Sequence, residues 1–181
     1  LWLDARGVRA DMRIATKTNM YGKPGMLAPG KLAAALDGSL ERLRTDYVDL
    51  FYAHRDDPQT PLDEVAEGFD ALVKAGKIRS SGASNFTAER LAASLDAAAR
   101  VGATPYTALQ NEYNLVARDQ YEGAVQDLCV KRGVIMLPYY GLASGFLTGK
   151  YRSEADLAGR ARGESVRRYL QTGQAALATL D

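Results

Sequence analysis

The sequence predicts an α/β fold in which parallel strands alternate with helices, as part of an incomplete (β/α)8 barrel. Short apolar runs recur at intervals of about 30 residues, the length of one strand plus a crossover helix. They begin near Ile14, Val48, Ile78, Thr107 and Val134. The run 47–53 is apolar at nearly every position, which is typical of a parallel strand that is buried on both faces. No Gly-x-Gly-x-x-Gly motif follows any run, so the closed barrel is favoured over an open dinucleotide-binding sheet.

Apolar stripes and helix-end residues predict the first two helices. The first is expected over 31–44, directly after a Pro-Gly pair. Its buried face should consist of Leu32, Leu36, Leu40 and Leu43. In the second helix, Thr60 is expected to be the N-cap and Pro61 the first helical residue, and the helix should end at Gly76.

The later helices are predicted in the same way. Thr87 should cap a third helix, which ends at Gly102. A fourth helix is expected over 118–132, and its buried residues should be Val125, Leu128 and Cys129. A last apolar stripe lies over 165–181 and ends without a capping glycine or a following strand. It consists of Val166, Tyr169, Leu170, Leu177 and Leu180.

The length of the chain indicates that the barrel is incomplete. A complete barrel has eight strands and typically takes about 250 residues, whereas this chain of 181 residues provides about five βα units. We therefore expect residues 1–181 to form a single partial barrel domain, and both ends of the chain to lie within a longer fold.

Composition and charge exclude several classes of function. The chain has 23 basic and 22 acidic side chains, a net charge of +1, and no long basic cluster, so neither nucleic acid nor an anionic membrane is an expected partner. The charge-free stretch 133–149 is interrupted by proline and glycine, which disfavours a membrane span. With one cysteine there can be no internal disulfide framework, and we expect a cytoplasmic protein. One histidine without a nearby cysteine provides too few ligands for a transition metal, so no metal site is expected.

Polar or aromatic residues follow all five runs, at the end of the strands where barrel enzymes carry their chemistry. These segments are 16–18, 54–57, 84–86, 110–113 and 139–141. We expect Lys17 to project toward the barrel mouth and to function there. His54 alone fits either a catalytic group or a hydrogen-bonded polar residue. Asp49 is expected to be a structural hydrogen-bond partner, and Asp56 and Asp57 to shape the turn before the next helix.

Five segments share their order and spacing with one enzyme family. They are Ala-Thr-Lys-Thr at 15–18, Asp-Tyr-Val-Asp-Leu-Phe-Tyr-Ala-His at 46–54, Gly-Ala-Ser-Asn-Phe at 82–86, Gln-Asn-Glu-Tyr-Asn at 110–114 and Leu-Ala-Ser-Gly-Phe-Leu-Thr-Gly-Lys-Tyr at 142–151. Together they resemble the aldo-keto reductases, most of all the bacterial reductases akin to the potassium-channel β subunit. The resemblance implies a barrel that binds NADPH without a Rossmann domain and reduces aldehydes or ketones, with a small-molecule carbonyl compound as its partner.

The resemblance also implies roles for single residues. Lys17 looks like the lysine that lowers the pKa of a catalytic tyrosine, and His54 like the histidine that orients the substrate carbonyl. The groups that hydrogen-bond the nicotinamide carboxamide would be Ser84, Asn85 and Gln110.

A second set of residues is implied to contact the rest of the cofactor. Tyr139 would stack on the nicotinamide ring. The segment along the pyrophosphate would include Leu142, Ser144, Gly145, Leu147 and Lys150. The catalytic tyrosine of the family and the carboxylate that pairs with its lysine would precede the first predicted strand, and the grip on the adenosine 2'-phosphate would follow residue 181.

Two other functions remain open. The chain could be an NADPH-binding sensor, or an inactive fragment without the catalytic tyrosine and aspartate. Alternatively, Lys17 could form a Schiff base, as in lyases and isomerases that use a barrel lysine. The predicted nicotinamide-binding residues argue against that chemistry. The sequence predicts neither the physiological carbonyl substrate nor the oligomeric state.

Overall fold

The computed structural model describes residues 2–172 and Leu177. The helices and strands are α1 (Trp2–Arg6), β1 (Ala15–Thr18), α2 (Pro29–Leu43), β2 (Val48–Ala53), α3 (Leu62–Lys74), β3 (Ile78–Ser84), α4 (Ala88–Val101), β4 (Ala108–Gln110), α5 (Ala124–Arg132), β5 (Ile135–Met136) and α6 (Gly163–Thr172). Short 3-10 turns lie at Arg9–Asp11, Ala143–Thr148 and Glu154–Leu157. The described residues divide into two compact units, 2–110 with 128–136 and 111–127 with 137–172 and 177. That residues 1–181 form a single domain therefore stays a prediction.

The first unit contains one parallel sheet with the strand order β1-β2-β3-β4-β5. Strands that follow one another along the chain are neighbours in the sheet, and a helix connects each of the first four strands to the next. This is the α/β topology of a partial barrel that the sequence predicts. Every strand begins within one residue of its predicted start.

One face of this sheet is covered by helices. Phe51 of β2 and Leu109 of β4 are fully buried on that face. Phe51 packs against Phe69 of α3 with ring centroids 5.8 Å apart, and Tyr106 meets Phe69 edge-on at 5.4 Å. Full burial of a large apolar side chain contributes about 1.5–3 kcal/mol. This layer therefore provides much of the stability of the first unit and does not use the opposite face of the sheet.

The predicted cap of the second helix is wrong, whereas that of the third is confirmed. The N-cap of α3 is Pro61, and no side chain caps the helix. The Thr60 hydroxyl donates instead to the Asp57 carboxylate at 2.7 Å. Thr87 does cap α4, since its side chain accepts the backbone N–H three residues further on. The left-handed Gly102 ends α4 as predicted.

The predicted fourth helix, α5, begins later than expected. The N–H groups of Tyr121 and Glu122 donate to the Arg118 carbonyl, which forms a turn where the helix was expected to begin. Gly123, with φ +83°, has a left-handed conformation that an α-helix does not contain. Cys129 is buried as predicted, but Val125 and Leu128 are only half-buried. The predicted buried face of this helix is therefore wrong at two of three positions.

The first predicted helix is confirmed with shifted ends, and the last is confirmed over the part that the structure describes. Helix α2 already begins at Pro29, so the Pro-Gly pair lies inside its first turn, and Leu43 is 39% exposed although it was expected to be buried. The predicted stripe of α6 is buried at Val166, Tyr169 and Leu170. Leu177 packs against the same cluster, and Leu180 lies outside the described residues.

The second unit has a hydrophobic cluster of its own. Its buried members are Ala143, Phe146, Tyr151, Leu157, Val166, Tyr169 and Leu170. The rings of Phe146 and Tyr169 stack with centroids 6.2 Å apart. The Tyr169 hydroxyl donates to the buried carboxylate of Glu112, which also pairs with Arg168 at 2.8 Å, so that this buried charge is compensated. In the part of the chain that the structure describes, no helix has the length and apolar character needed to span a bilayer.

Candidate active site

The register of the sheet brings the predicted residues of the first unit together on one face. Lys17 of β1 pairs with Tyr52 of β2, and Tyr52 pairs with the residue two positions before Ser84 on β3. Ser84 in turn pairs with Gln110 of β4. Because side chains alternate along a strand, these four share the face that the helices leave free, and His54, two residues after Tyr52, continues it. All of them lie at the carboxyl ends of their strands, as the sequence predicts.

Lys17 is a half-buried cation without a counter-ion among the described residues. Its Nζ lies 5.7 Å from the centroid of the Tyr52 ring, and no described carboxylate lies within 4.0 Å of it. Partial burial disfavours the charged form and lowers the pKa of Lys17. An ammonium group in this position can stabilise negative charge that develops next to it.

His54 lies at the end of β2 with its backbone fixed. Its N–H donates to the Thr18 carbonyl at 2.8 Å, and its carbonyl accepts from Asn85 Nδ2 at 2.9 Å. Burial lowers the pKa of His54, and the positive charges of Lys17 and Arg55 lower it further. The imidazole is therefore neutral at pH 7, so one ring nitrogen is a donor and the other an acceptor. A neutral imidazole donor suits a carbonyl oxygen as its partner.

Ser84, Asn85 and Gln110 form a connected polar group next to His54. The Ser84 hydroxyl donates to the Gln110 carbonyl at 2.7 Å, and Asn85 Nδ2 donates to Ser84 Oγ at 3.1 Å. Asn85 has φ +60°, a left-handed conformation that asparagine tolerates better than most residues. Its backbone N–H also donates to the Gln110 carbonyl at 3.2 Å. The Gln110 side-chain amide makes no hydrogen bond to any residue in the described part of the chain.

These contacts fit a carboxamide ligand. The half-buried Gln110 amide offers both a donor and an acceptor, which is what another primary amide requires. Ser84 is fully buried and its single proton is already used within the protein, so toward a ligand its hydroxyl can serve only as an acceptor. The donor set of this face is thus complementary to a group such as the nicotinamide carboxamide.

In the second unit, Tyr139 is held at the start of the predicted pyrophosphate segment. Its N–H donates to the Asn111 carbonyl at 3.1 Å, and its carbonyl accepts from the Tyr113 N–H at 3.4 Å. The half-buried ring meets Tyr140 edge-on, with centroids 5.0 Å apart. An aromatic face supported in this way can stack on another flat ring.

The segment 142–150 has an unusual backbone. Ala143, Ser144 and Gly145 have φ values of +48°, +58° and +107° in succession, and tightly curved backbone of this kind often binds anions. Ser144 Oγ is buried and has no hydrogen-bond partner in the described structure. Leu142 is exposed, Leu147 is half-buried, and the exposed Lys150 has its Nζ 5.0 Å from the Tyr151 ring centroid. Lys150 Cε would lie 3.7 Å from a Cβ atom at Gly145, so a cation lies beside this curved backbone, and phosphate groups favour such a cation.

Comparison with known proteins identifies the family. The model of the aldo/keto reductase family matches the chain over residues 1–181. The chain belongs to this family. Its members act on small carbonyl substrates and typically use NADP(H).

Several curated relatives match over most of this chain. It is 35% identical to aldo-keto reductase YhdN of Bacillus subtilis over 84% of its own length and 45% of that protein. It is 31% identical to an aryl-alcohol dehydrogenase [NADP(+)] of Phanerodontia chrysosporium, over 94% of this chain and 46% of the relative. A probable voltage-gated potassium channel subunit beta of Arabidopsis thaliana is 33% identical to it, over 81% of this chain and 46% of that relative. The chain thus spans less than half the length of these relatives.

A solved structure supports the fold alone. A crystal structure provisionally assigned as a 2,5-diketo-D-gluconic acid reductase B matches with a TM-score of 0.67 at 24% identity. The match covers 93% of this chain and 57% of that one.

Some residues around the site were not predicted to belong to it. Tyr52 was part of an apolar run, yet its ring faces the Lys17 ammonium. Asp57 does more than shape a turn, because its buried carboxylate also accepts the N–H groups of Gly25 and Leu27. It thereby ties the loop after β1 to the loop after β2. The structural role predicted for Asp49 agrees with the structure, since its carboxylate accepts from the N–H that precedes β1 at 2.9 Å.

Proposed function

We propose that this chain contributes the nicotinamide and carbonyl sites of an NADPH-dependent aldo-keto reductase, which transfers a hydride between nicotinamide C4 and an aldehyde or ketone. The observation that carries the proposal is one sheet face with three polar groups: an ammonium without a counter-ion among the described residues, an imidazole with a lowered pKa, and an amide without a hydrogen bond to them. These belong to Lys17, His54 and Gln110. Such a face matches the charge changes of carbonyl reduction.

Two residues act on the carbonyl in this proposal. His54 donates a hydrogen bond to the substrate oxygen, which polarises the carbonyl and orients it. Lys17 stabilises the negative charge that develops as the oxygen becomes an alkoxide, which then takes a proton from water to give the alcohol. NADPH, when bound, supplies the hydride. Tyr52 is not the proposed proton donor, because burial raises its pKa to about 12 and makes it a poor acid at neutral pH.

Three groups of residues would hold the cofactor. Ser84, Asn85 and Gln110 would hydrogen-bond the carboxamide, and Tyr139 would support the nicotinamide ring. The curved segment 142–150 would bind the pyrophosphate through its backbone, and the buried, unpartnered hydroxyl within it supports this assignment. NADPH in place of NADH is proposed from the family and from the cofactor in the name of one relative.

Two measurements on the unaltered chain and on Lys17→Met test the proposal. NADPH fluorescence titration reports binding, and the loss of absorbance with an aldehyde such as 4-nitrobenzaldehyde reports turnover. Lys17→Met should lower kcat by about 10²-fold or more, because charge on the oxygen then lacks its cation, and should leave NADPH affinity unchanged. Gln110→Ala, as a matched variant, should weaken NADPH binding. Normal turnover by Lys17→Met refutes the role of Lys17, whereas binding without any turnover favours a sensor.

The lowered pKa of Lys17 favours one second candidate, Schiff-base chemistry. A partly desolvated lysine has a larger fraction of the nucleophilic free amine at neutral pH. Borohydride added together with a carbonyl compound would then leave a stable adduct on Lys17, detectable by mass spectrometry of the peptide that contains it. A chain that oxidises NADPH with the aldehyde and shows no adduct supports the reductase.

A further inference from the structure

Tyr52 lies on the same sheet face as the proposed site residues, but the proposed function gives it no role. Its side chain is only 1% exposed, and its hydroxyl is buried without a hydrogen-bond partner among the described residues. A buried hydroxyl without a partner carries a cost in stability that phenylalanine would avoid. The hydroxyl therefore does not explain this ring, and its position must be explained by what the ring itself contacts.

The position of the ring is fixed by Gly82. A Cβ atom at Gly82 would lie 2.7 and 2.8 Å from two ring carbons of Tyr52 and 2.8 Å from the Ala108 carbonyl oxygen. The ring thus lies directly on the backbone of β3, where only glycine leaves room for it. In this position it faces Lys17, whose Nζ is 5.7 Å from the ring centroid.

The charges around Lys17 make this contact matter. Lys17 acts on the His54 imidazole through its positive charge, as Arg55 does, and neither His54 nor Arg55 carries negative charge. No described carboxylate lies within 4.0 Å of Nζ. The negative face of an aromatic ring attracts a cation within about 6 Å, more strongly where water is partly excluded. Among the described aromatic rings, that of Tyr52 lies within this range of the ammonium and can attract it.

We propose that Tyr52 is a positioning residue, which holds the Lys17 ammonium over its ring face and favours its protonated form. The role of Lys17 in the reaction rests on the function proposed above, but the contact between Tyr52 and Lys17 does not. The ring counteracts the desolvation of the lysine and keeps the cation at the carboxyl end of β1.

The test measures the pKa of Lys17 directly. Lysines are reductively methylated with ¹³C-formaldehyde and titrated by NMR, and Lys17→Arg assigns the signal. Tyr52→Phe keeps the ring and should leave the acid dissociation constant of Lys17 unchanged. Replacing Tyr52 with a trifluorinated phenylalanine keeps the shape but weakens the negative ring face, and should raise that constant about two- to fivefold. Tyr106 is the control position, because it is also a buried tyrosine whose hydroxyl has no described partner.

The fluorinated ring separates electrostatics from packing and folding, since it has nearly the volume of phenylalanine. If the acid dissociation constant of Lys17 is the same in Tyr52→Phe and in the fluorinated variant, the proposal is overturned. It is also overturned if the fluorinated residue at Tyr106 raises that constant by the same factor. Tyr52→Leu should raise the constant in the same direction, and a fall would also overturn the proposal. None of these measurements uses NADPH turnover, so failure of the proposed function would appear separately, as absence of carbonyl-dependent NADPH oxidation by the unaltered chain.

Discussion

The buried carboxylate of Asp57 provides the sharpest test of how the rim of the site is built. Its side chain accepts four hydrogen bonds, from the N–H groups of Gly25, Leu27 and Gln59 at 3.0, 3.0 and 3.2 Å and from the Thr60 hydroxyl at 2.7 Å. These bonds lower the pKa of Asp57 although burial acts in the opposite direction. Each oxygen serves two donors, so an amide cannot replace both.

Asp57→Asn should therefore cost about 2–4 kcal/mol of unfolding free energy at pH 7. The amide nitrogen faces two donors, at least one buried N–H loses its acceptor, and hydrogen bonds to an ionised group contribute about 1.5–3 kcal/mol each. Urea unfolding followed by circular dichroism measures the change. Asp63→Asn is the matched control, because Asp63 forms an exposed ion pair with Arg100 and should cost less than about 1 kcal/mol.

The pH dependence of the Asp57 effect has a defined sign. A carboxyl with a lowered folded-state pKa contributes its full stability above the ordinary value of 3.8 and loses it as the pH falls through the folded-state value. The difference between the unaltered chain and Asp57→Asn should therefore be constant from neutral pH down to about pH 5 and shrink below pH 4. A loss below 1 kcal/mol at pH 7, or one equal to the control, contradicts the account of this carboxylate.

Three further changes have expected outcomes of their own. Asp70→Asn should cost about 1–2 kcal/mol at pH 7, because the ammonium and hydroxyl groups bonded to Asp70 lower its pKa to about 2, and the cost should vanish in urea titrations near that pH. Lys17→Met should raise the pKa of His54, because it removes a nearby positive charge. Proton NMR of the only histidine in the chain measures this pKa, and an unchanged value would contradict the proximity of Lys17 and His54. Gly82→Ala should cost about 1–3 kcal/mol through overpacking against a ring and a carbonyl, whereas Gly38→Ala in α2 should be neutral or stabilising by up to about 1 kcal/mol; equal melting temperatures for the two variants would show that the close approach is absent.

The sequence predicts the strands and the residues of the site face for a common physical reason. Apolar runs with a spacing of strand plus helix determine the sheet, and once the strands are parallel their carboxyl ends must lie at one edge. Lys17, Ser84 and Gln110 were therefore predictable from their positions directly after such runs, and the register confirms that they share a face.

The features that were missed depend on contacts between distant segments. Thr60 has the local preference of a helix cap, but Asp57 binds its hydroxyl while also binding a loop about 30 residues earlier in the chain. Asp57, three residues before Thr60, is a local sign of that competition, but its bond to the loop after β1 cannot be read from the sequence. Tyr52 was indistinguishable from its apolar neighbours, although Gly82 within the next strand is a signal of close backbone approach that could have indicated a ring there.

The two faces of the sheet explain why the site can have unfavourable local chemistry. Phe51 and Leu109 pack under the helices and stabilise the first unit without using the other face. That other face can therefore hold an ammonium and a buried hydroxyl that have no ion-pair or hydrogen-bond partner among the described residues, both of which weaken folding. Burial, and then the positive charge of Lys17, lower the pKa of His54, which favours the neutral imidazole with one N–H donor. In the proposed reaction, the same electrostatic features that cost stability would favour a substrate oxygen that becomes negative.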